Sequence, residues 1–305
     1  MTEAAQAAPY VGQSLRRRED LKFLTGNGRY VDDINMRGIL YLAILRSPHA
    51  HALITDIDLS TARAAAGVRL ALAGADLSGE IGNIKPNWVV PGTVVPERPV
   101  MAVDRVRFVG ECVALVVAET RDAAHDALEL IDVAYEALPA VVDEEAAIGD
   151  GAPQLHEKVP KNITTHFKIG GGDYAAAARQ ADHLLHLRLV NNRLIPTCLE
   201  TRSILAEPGI DGRLTIYLPS QVPHMHRRWI AETVGIPGAF VARGCARHRW
   251  RLRGEDAPLP RGAALRLSGP RAEMSGQVVG IAVGKSSGDQ SRPGAYGIDR
   301  GGLPQ

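Results

Sequence analysis

An α+β fold built around one strand–helix–strand unit is predicted for this chain by three observations. Val113 to Ala118 is an unbroken apolar run of strand length, rich in β-branched residues, which fits a strand covered on both faces. Thr120 and Asp122 then supply a capping oxygen and a first-turn carboxylate, and Ala123, Ala124, Ala127, Leu128 and Ile131 recur at helical spacing, so a helix should start there. Ile131 to Tyr135 returns as a second strand. So short a unit implies a right-handed crossover onto one sheet.

Earlier in the chain, Met1 to Gln13 reads as an arm, and Phe23, Leu24, Tyr30 and Ile34 are the apolar anchors of a charged, glycine-rich stretch. Ile39 to Leu45 is a strand that Pro48 ends, because proline denies the residue before it a helical backbone. Ala52 to Leu59 alternates as a strand, Ser60 caps a short helix over Thr61 to Ala66 that Gly67 closes, and Val68 to Ala73 is a further strand. Pro86, Pro91, Pro96 and Pro99 keep Gly79 to Pro99 free of regular elements.

Beyond the central unit, Val142 to Lys161 is rich in Gly and Pro and reads as a linker into a second domain. There Gly170-Gly171-Gly172 precedes Asp173, which caps an alanine-rich helix from Tyr174 to about Ala181. A triple glycine ahead of a helix can cradle phosphate. No Walker lysine follows and no dinucleotide-type strand leads in, so a flexible turn is the reading. His183 to Val190 and Arg213 to Leu218 have strand character, and His224 to Val234 is helical up to Gly235-Ile236-Pro237. The division expected is an arm over 1–21, a first domain over 22–147, a linker over 148–169, a partial second domain over 170–237 and a tail over 238–305.

Composition narrows the function. With 45% of its 305 residues apolar the chain can bury a sizeable core. No run approaches the about 20 apolar residues of a membrane span, and the polar start lacks the order of a secretion signal, so a cytoplasmic protein is expected. Cys112, Cys198 and Cys245 are far apart and in no C-x-x-C pattern, which indicates neither a disulfide framework nor a metal or iron–sulfur site. The pairs His49 and His51, His183 and His186, and His224 and His226 lack zinc-hydrolase spacing and read as surface or capping histidines. No G-x-S-x-G elbow is present. The residues alone hold no self-contained catalytic set, and no catalytic or metal-ligating residue is assigned.

Five stretches, in order, carry a family resemblance: RREDLKFLTGNGRYVDDI at Arg17 to Ile34, LRSPHAHALI at Leu45 to Ile54, the run from Val106 to Asp143, NNRLIPTCLETR at Asn191 to Arg202, and the Ser220-Gln221 step. They resemble the molybdenum-binding large subunit of the xanthine dehydrogenase and aldehyde oxidase family, aerobic carbon monoxide dehydrogenase large chains above all. The resemblance implies an α/β hammerhead domain followed by the truncated start of a molybdopterin-binding domain. It also implies an oxidoreductase that acts on carbon monoxide, aldehydes or aromatic heterocycles with water as oxygen source. The metal lowers the pKa of its bound water, a late glutamate serves as base, and electrons leave through iron–sulfur and FAD-binding subunits in dimers of heterotrimers. Gln221 matches the family glutamine beside the molybdenum oxo group, the one cofactor-binding residue that the resemblance assigns. Cys198-Leu199-Glu200-Thr201-Arg202 departs from the usual methionine-glutamate-proline-arginine turn. A non-catalytic hammerhead module that docks on iron–sulfur and flavin subunits is the alternative.

After Pro237 the resemblance stops where the family continues into a GGGFG cofactor loop. Codons compatible with residues 238–262, read one nucleotide forward, spell ELSLRVVAPDIGGGFGAKTHLYPEE. Some steps leave little freedom: Trp250 has one codon and Arg251 begins with C or A, so the shifted codon is glycine either way. Gly238 to Gln305 holds eleven Lys and Arg against five Asp and Glu, and thirteen of the 31 glycines. Such a stretch, without apolar periodicity, is what a shifted reading of G+C-rich DNA yields and is expected to be disordered. Its scattered arginines, with only Phe240, Trp250 and Tyr296 to stack on bases, speak against a nucleic-acid partner. Alone, such a fragment should be inactive and retain no molybdopterin.

Overall fold

A computed structural model describes residues 11–86, 88–191, 202–209 and 213–238, with the backbone of two further strands at 241–244 and 281–283. The first domain runs α1 (Asp20–Leu24), β1 (Leu40–Arg46), β2 (Ala52–Asp58), α2 (Ser60–Ala64), β3 (Val68–Ala73), β4 (Arg105–Val106), β5 (Cys112–Ala118), α3 (Arg121–Leu128) and β6 (Asp132–Ala137). Next come α4 (Glu144–Ala147), α5 (Tyr174–Gln180), β7 (Ile204–Pro208), β8 (Leu214–Tyr217), α6 (Pro223–Val234), β9 (Val241–Gly244) and β10 (Ile281–Val283). The strands form a seven-stranded sheet in the order β3-β5-β1-β10-β7-β8-β9 and a three-stranded sheet in the order β4-β2-β6.

β5 organises the first domain as its sequence requires. It lies antiparallel between β1 and β3, and its apolar run is covered on both faces. Ala114 and Val116 pack with Ala62, Ala127 and Ile131 of the helical layer, and Ala118 with Ala124. Val113, pointing the other way, packs with Ala52, Ala102 and Val106 beneath the small sheet. α3 starts where predicted, with Thr120 Oγ1 accepting the Ala123 N–H at 3.1 Å. α2 differs: it begins at Ser60, whose hydroxyl makes no capping bond, and Asp58 Oδ1 accepts the Ser60 N–H at 2.8 Å. Gly74 has to be glycine, because a Cβ there would stand 1.9 Å from the Ala102 carbonyl oxygen.

The central unit is not a crossover onto one sheet. β6 leaves the sheet of β5 and pairs antiparallel with β2, Val133 opposite Ile57 and Tyr135 opposite Ile54. The reason lies in its residues: only Val133 and Tyr135 turn inward while Asp132, Ala134 and Glu136 are exposed. Such a strand needs cover on one face and finds it in a separate, half-solvated layer.

A polar turn closes the first domain after β1. Ser47, His51 and Glu111 are buried. The Ser47 N–H donates to the Glu111 carbonyl and the Gly110 N–H to the Ser47 carbonyl, each at 2.8 Å. His51, expected at the surface or a cap, is 5% exposed, and its Nδ1 pairs with the Pro139 carbonyl at 2.8 Å. A buried ring needs such a partner. His49 instead packs its ring against Tyr135, centroids 4.8 Å apart.

Residues 144–164 fold back on this domain. Asn162, in the left-handed region at φ 58°, donates from Nδ2 to the Ala147 and Pro153 carbonyls, both at 2.9 Å, and accepts the Leu155 N–H at 3.0 Å. Lys158 pairs with Glu97, and the Val94 N–H reaches the Thr164 carbonyl at 2.7 Å. α5 is capped by Asp173 as predicted, its Oδ1 accepting the Ala176 N–H at 2.9 Å. His183 to Val190, expected as a strand, joins no sheet: Leu185, Leu187 and Leu189 are 79%, 68% and 85% exposed.

Residues from Gly238 were expected to be disordered. Two short backbone segments there join the large sheet, β9 parallel to β8, and β10 parallel to β1 and antiparallel to β7. The rest of that stretch, with Cys245 and the positions compared with the glycine loop, lies outside the described residues, as do Asn192 to Thr201 with Cys198.

Candidate functional site

The second domain presents its one assigned residue at the start of a helix. β7 and β8 form an antiparallel hairpin, Leu205 opposite Tyr217 and Pro208 opposite Leu214. α6 covers it, burying Ala231 and Ile236 against Leu214 and Ile216, with Ile204, Ala206, Ile230 and Val234 around them. The helix starts with Pro223 at its first turn, where a missing N–H costs nothing, and stops at Gly235, whose φ of 75° is the left-handed stop that glycine adopts without a Cβ penalty. Between β8 and α6 runs Leu218-Pro219-Ser220-Gln221-Val222, with Gln221 exposed.

Two hydrogen bonds shape that turn. The Val222 N–H donates to Ser220 Oγ at 3.1 Å, and Ser220 Oγ pairs with His226 Nδ1 at 2.8 Å. His226 in turn meets Trp229 edge-on, centroids 5.3 Å apart. Gln221 lies between the two ends of this bridge. Its side-chain amide makes no hydrogen bond among the described residues, and the positive end of the α6 dipole lies beside it. An amide so placed can donate to, or accept from, a group brought to the mouth of the helix. It fits one edge of a polar cofactor.

A groove of about 510 Å³ runs along another side of α6, lined by His224, Arg227, Arg228, Ala231, Glu232, Ile236 and Gly238. Arg227 Nε closes one end by donating to the Gly238 carbonyl at 2.6 Å. Gln221 is not among its walls. Among the described residues no cluster of three or more His, Cys, Asp or Glu side chains could hold a metal ion, and no helix is long and apolar enough to cross a membrane. The triple glycine stands in open space, with nothing within 4 Å of a Cβ at Gly170, Gly171 or Gly172.

Of the residues singled out in the sequence, the Ser220-Gln221 step and the pair His224 and His226 come together here. The Ser220–His226 bridge was missed. Six residues separate its ends across a turn, and no periodicity marks such a pairing; the only signal is a serine ahead of a Val-Pro helix start.

Known proteins share this arrangement. Residues 25–139 match the a/b hammerhead domain of aldehyde oxidase and xanthine dehydrogenase, and residues 155–243 match a molybdopterin cofactor-binding domain. The large subunit of nicotine 6-hydroxylase from Paenarthrobacter nicotinovorans is 36% identical, a match covering 74% of this chain and 28% of that protein. The carbon monoxide dehydrogenase large chain of Hydrogenophaga pseudoflava is 35% identical over 73% of this chain and 29% of its own. Quinoline 2-oxidoreductase from Pseudomonas putida 86 superposes with a TM-score of 0.70 at 35% identity, covering 75% of this chain and 29% of that one. The chain thus spans less than a third of the length of these relatives. Through its hammerhead domain and the beginning of its cofactor-binding domain, the chain belongs to the xanthine dehydrogenase and aldehyde oxidase family of molybdenum hydroxylase large subunits.

Proposed function

We propose that the chain is the N-terminal portion of a molybdenum hydroxylase large subunit, an oxidoreductase lineage acting on carbon monoxide, aldehydes or aromatic heterocycles with water as the oxygen source. The observation that carries this reading is the collinear succession of the two matched domains over residues 25–243, ending with a glutamine at the mouth of α6 whose amide has no partner among the described residues. When bound, the molybdenum cofactor would supply a Lewis-acid centre that lowers the pKa of water and takes up electrons. Gln221 would hold it from one edge, its amide N–H donating to an electronegative atom of the cofactor while α6 excludes water behind it. Iron–sulfur and FAD-binding subunits in the cytoplasm would be its partners.

On this reading the boundaries are a hammerhead domain over 22–147, a linker over 148–169, the start of the cofactor domain over 170–237, and an out-of-frame tail over 238–305. The chain by itself is then inactive, since neither the glycine loop nor the base glutamate has a counterpart up to Pro237. Sequencing the gene and restoring the frame after the Pro237 codon tests this. The restored protein should carry molybdenum near one equivalent by metal analysis and the present chain far less. Near-stoichiometric molybdenum in the present chain overturns the inactivity. A gene whose bases cannot spell the glycine loop in another frame overturns the shifted tail.

The closed core of the first domain favours a second reading, a non-catalytic module that docks on iron–sulfur and flavin subunits. Co-purification with those subunits, unaccompanied by molybdenum even after the frame is restored, would select it.

A further inference from the structure

We propose that Ser220 and His226 act as a clasp that positions Gln221, and that the clasp selects one neutral tautomer of His226. The inference rests on the placement of Gln221 at the cofactor, and it assigns positioning roles to Ser220 and His226.

The geometry is that of a closed ring. Ser220 Oγ already accepts the Val222 N–H at 3.1 Å, which uses one lone pair and fixes the side chain over the turn. Its O–H and its second lone pair both remain for His226 Nδ1, 2.8 Å away, and the clasp assigns the O–H as the donor. That assignment requires a bare Nδ1 and an imidazole proton on Nε2. Trp229, edge-on to the ring at 5.3 Å, walls the imidazole on its helical side. With residues 220, 222 and 226 tied together, the backbone at Gln221 has little freedom left, and its exposed amide is aimed by the turn. This is the support that a lone exposed amide needs to meet a ligand without first being ordered. Pro223 contributes by fixing its own φ at the first turn of α6.

The test uses the full chain labelled with nitrogen-15. His226 should show an unprotonated Nδ1 and a protonated Nε2, and this pattern should be lost in Ser220→Ala. The Gln221 backbone and side-chain amide resonances should shift in Ser220→Ala and in His226→Ala. His226→Asn, whose carbonyl oxygen can take the place of Nδ1, should return them towards their wild-type positions. A proton on Nδ1, or Gln221 resonances that ignore both alanine variants, overturns the clasp. An effect on Gln221 that His226→Asn fails to rescue also overturns it, since that is the mark of general packing loss. The reading beneath is probed separately by adding molybdopterin. If Gln221 does not respond while the His226 pattern stands, the cofactor placement fails and the clasp survives.

Discussion

The two halves of this chain have similar sequence texture and opposite fates. In the hammerhead domain an apolar strand, β5, is closed in on both faces, and Val106, Val113 and Val116 are entirely buried. In the second half Leu184 to Val190 carries a comparable density of apolar side chains, yet it stands exposed, and the core described there holds four buried residues, Leu214, Ile216, Ala231 and Ile236. Ordering a residue costs about 1–2 kcal/mol of backbone entropy, and full burial of a leucine returns about 1.5–3 kcal/mol. A leucine that keeps most of its surface in water returns little of that. Strand period is therefore not enough: a strand holds only where something covers it.

The sharpest way to break this contrast is limited proteolysis. Lys168, Arg179 and Arg188 lie in the uncovered stretch, whereas Arg46 sits in a paired strand and holds the Gly110 carbonyl through Nη1 at 2.9 Å. Trypsin should cut the first group long before the second, because cleavage follows the free energy of local opening. Mass spectrometry of the early fragments should show a product that keeps residues 40–137 intact. Early cuts within β1 to β6 would abolish the contrast.

A pair of substitutions sharpens it. Val116→Asp places a charge between the helical layer and β5 and should cost about 4 kcal/mol or more, enough to remove the main thermal transition. Ile216→Asp, in the small second core, should leave most of that transition in place. Equal loss in both variants would mean that the seven-stranded sheet unfolds as one body.

Legibility follows the same line. β5 could be read from its residues because an unbroken apolar run demands cover on both faces, and Thr120 because a cap is local. The sheet that β6 joins could not be read in that way. Its half-exposed alternation announces one buried face but not which partner supplies it. His183 to Val190 misled for the converse reason, being a strand pattern without a partner among the described residues. Gln221 came from family resemblance alone, since one exposed amide leaves no physical trace in a sequence. Asn162 escaped notice as well, although an asparagine that satisfies three backbone groups from a left-handed position is what ties residues 144–164 together.

That asparagine gives the next prediction, smaller in size. Asn162→Ala removes two donated bonds and one accepted bond and places a Cβ-bearing residue without a polar side chain at φ 58°. The loss should be about 1–3 kcal/mol, read as a lower midpoint in urea. Asn162→Gly relieves the backbone while still losing the bonds, so the difference between the two variants separates strain from hydrogen bonding. If both match the wild type, the internal order of residues 144–164 contributes nothing to the stability read by urea.

The smallest effect concerns the polar turn that seals the hammerhead core, and it alone depends on pH. Burial pushes the Glu111 carboxyl above its usual range, outweighing the N–H groups of Arg107 and Phe108 and the charges of Arg107 and Arg98 that pull it down. A carboxyl whose pKa rises on folding binds its proton more tightly in the folded state. Its contribution is complete below the unfolded value and is lost as pH climbs through the folded one. Glu111→Gln retains an oxygen for the Arg107 N–H, which Glu111 Oε2 accepts at 2.5 Å, and carries no charge. Its stability relative to wild type should therefore improve from pH 4 to pH 7, measured as paired urea midpoints. A relative stability that falls over that interval would mean that the two arginines win over burial, so that this end of the first domain is held by charge where the rest of it is held by packing.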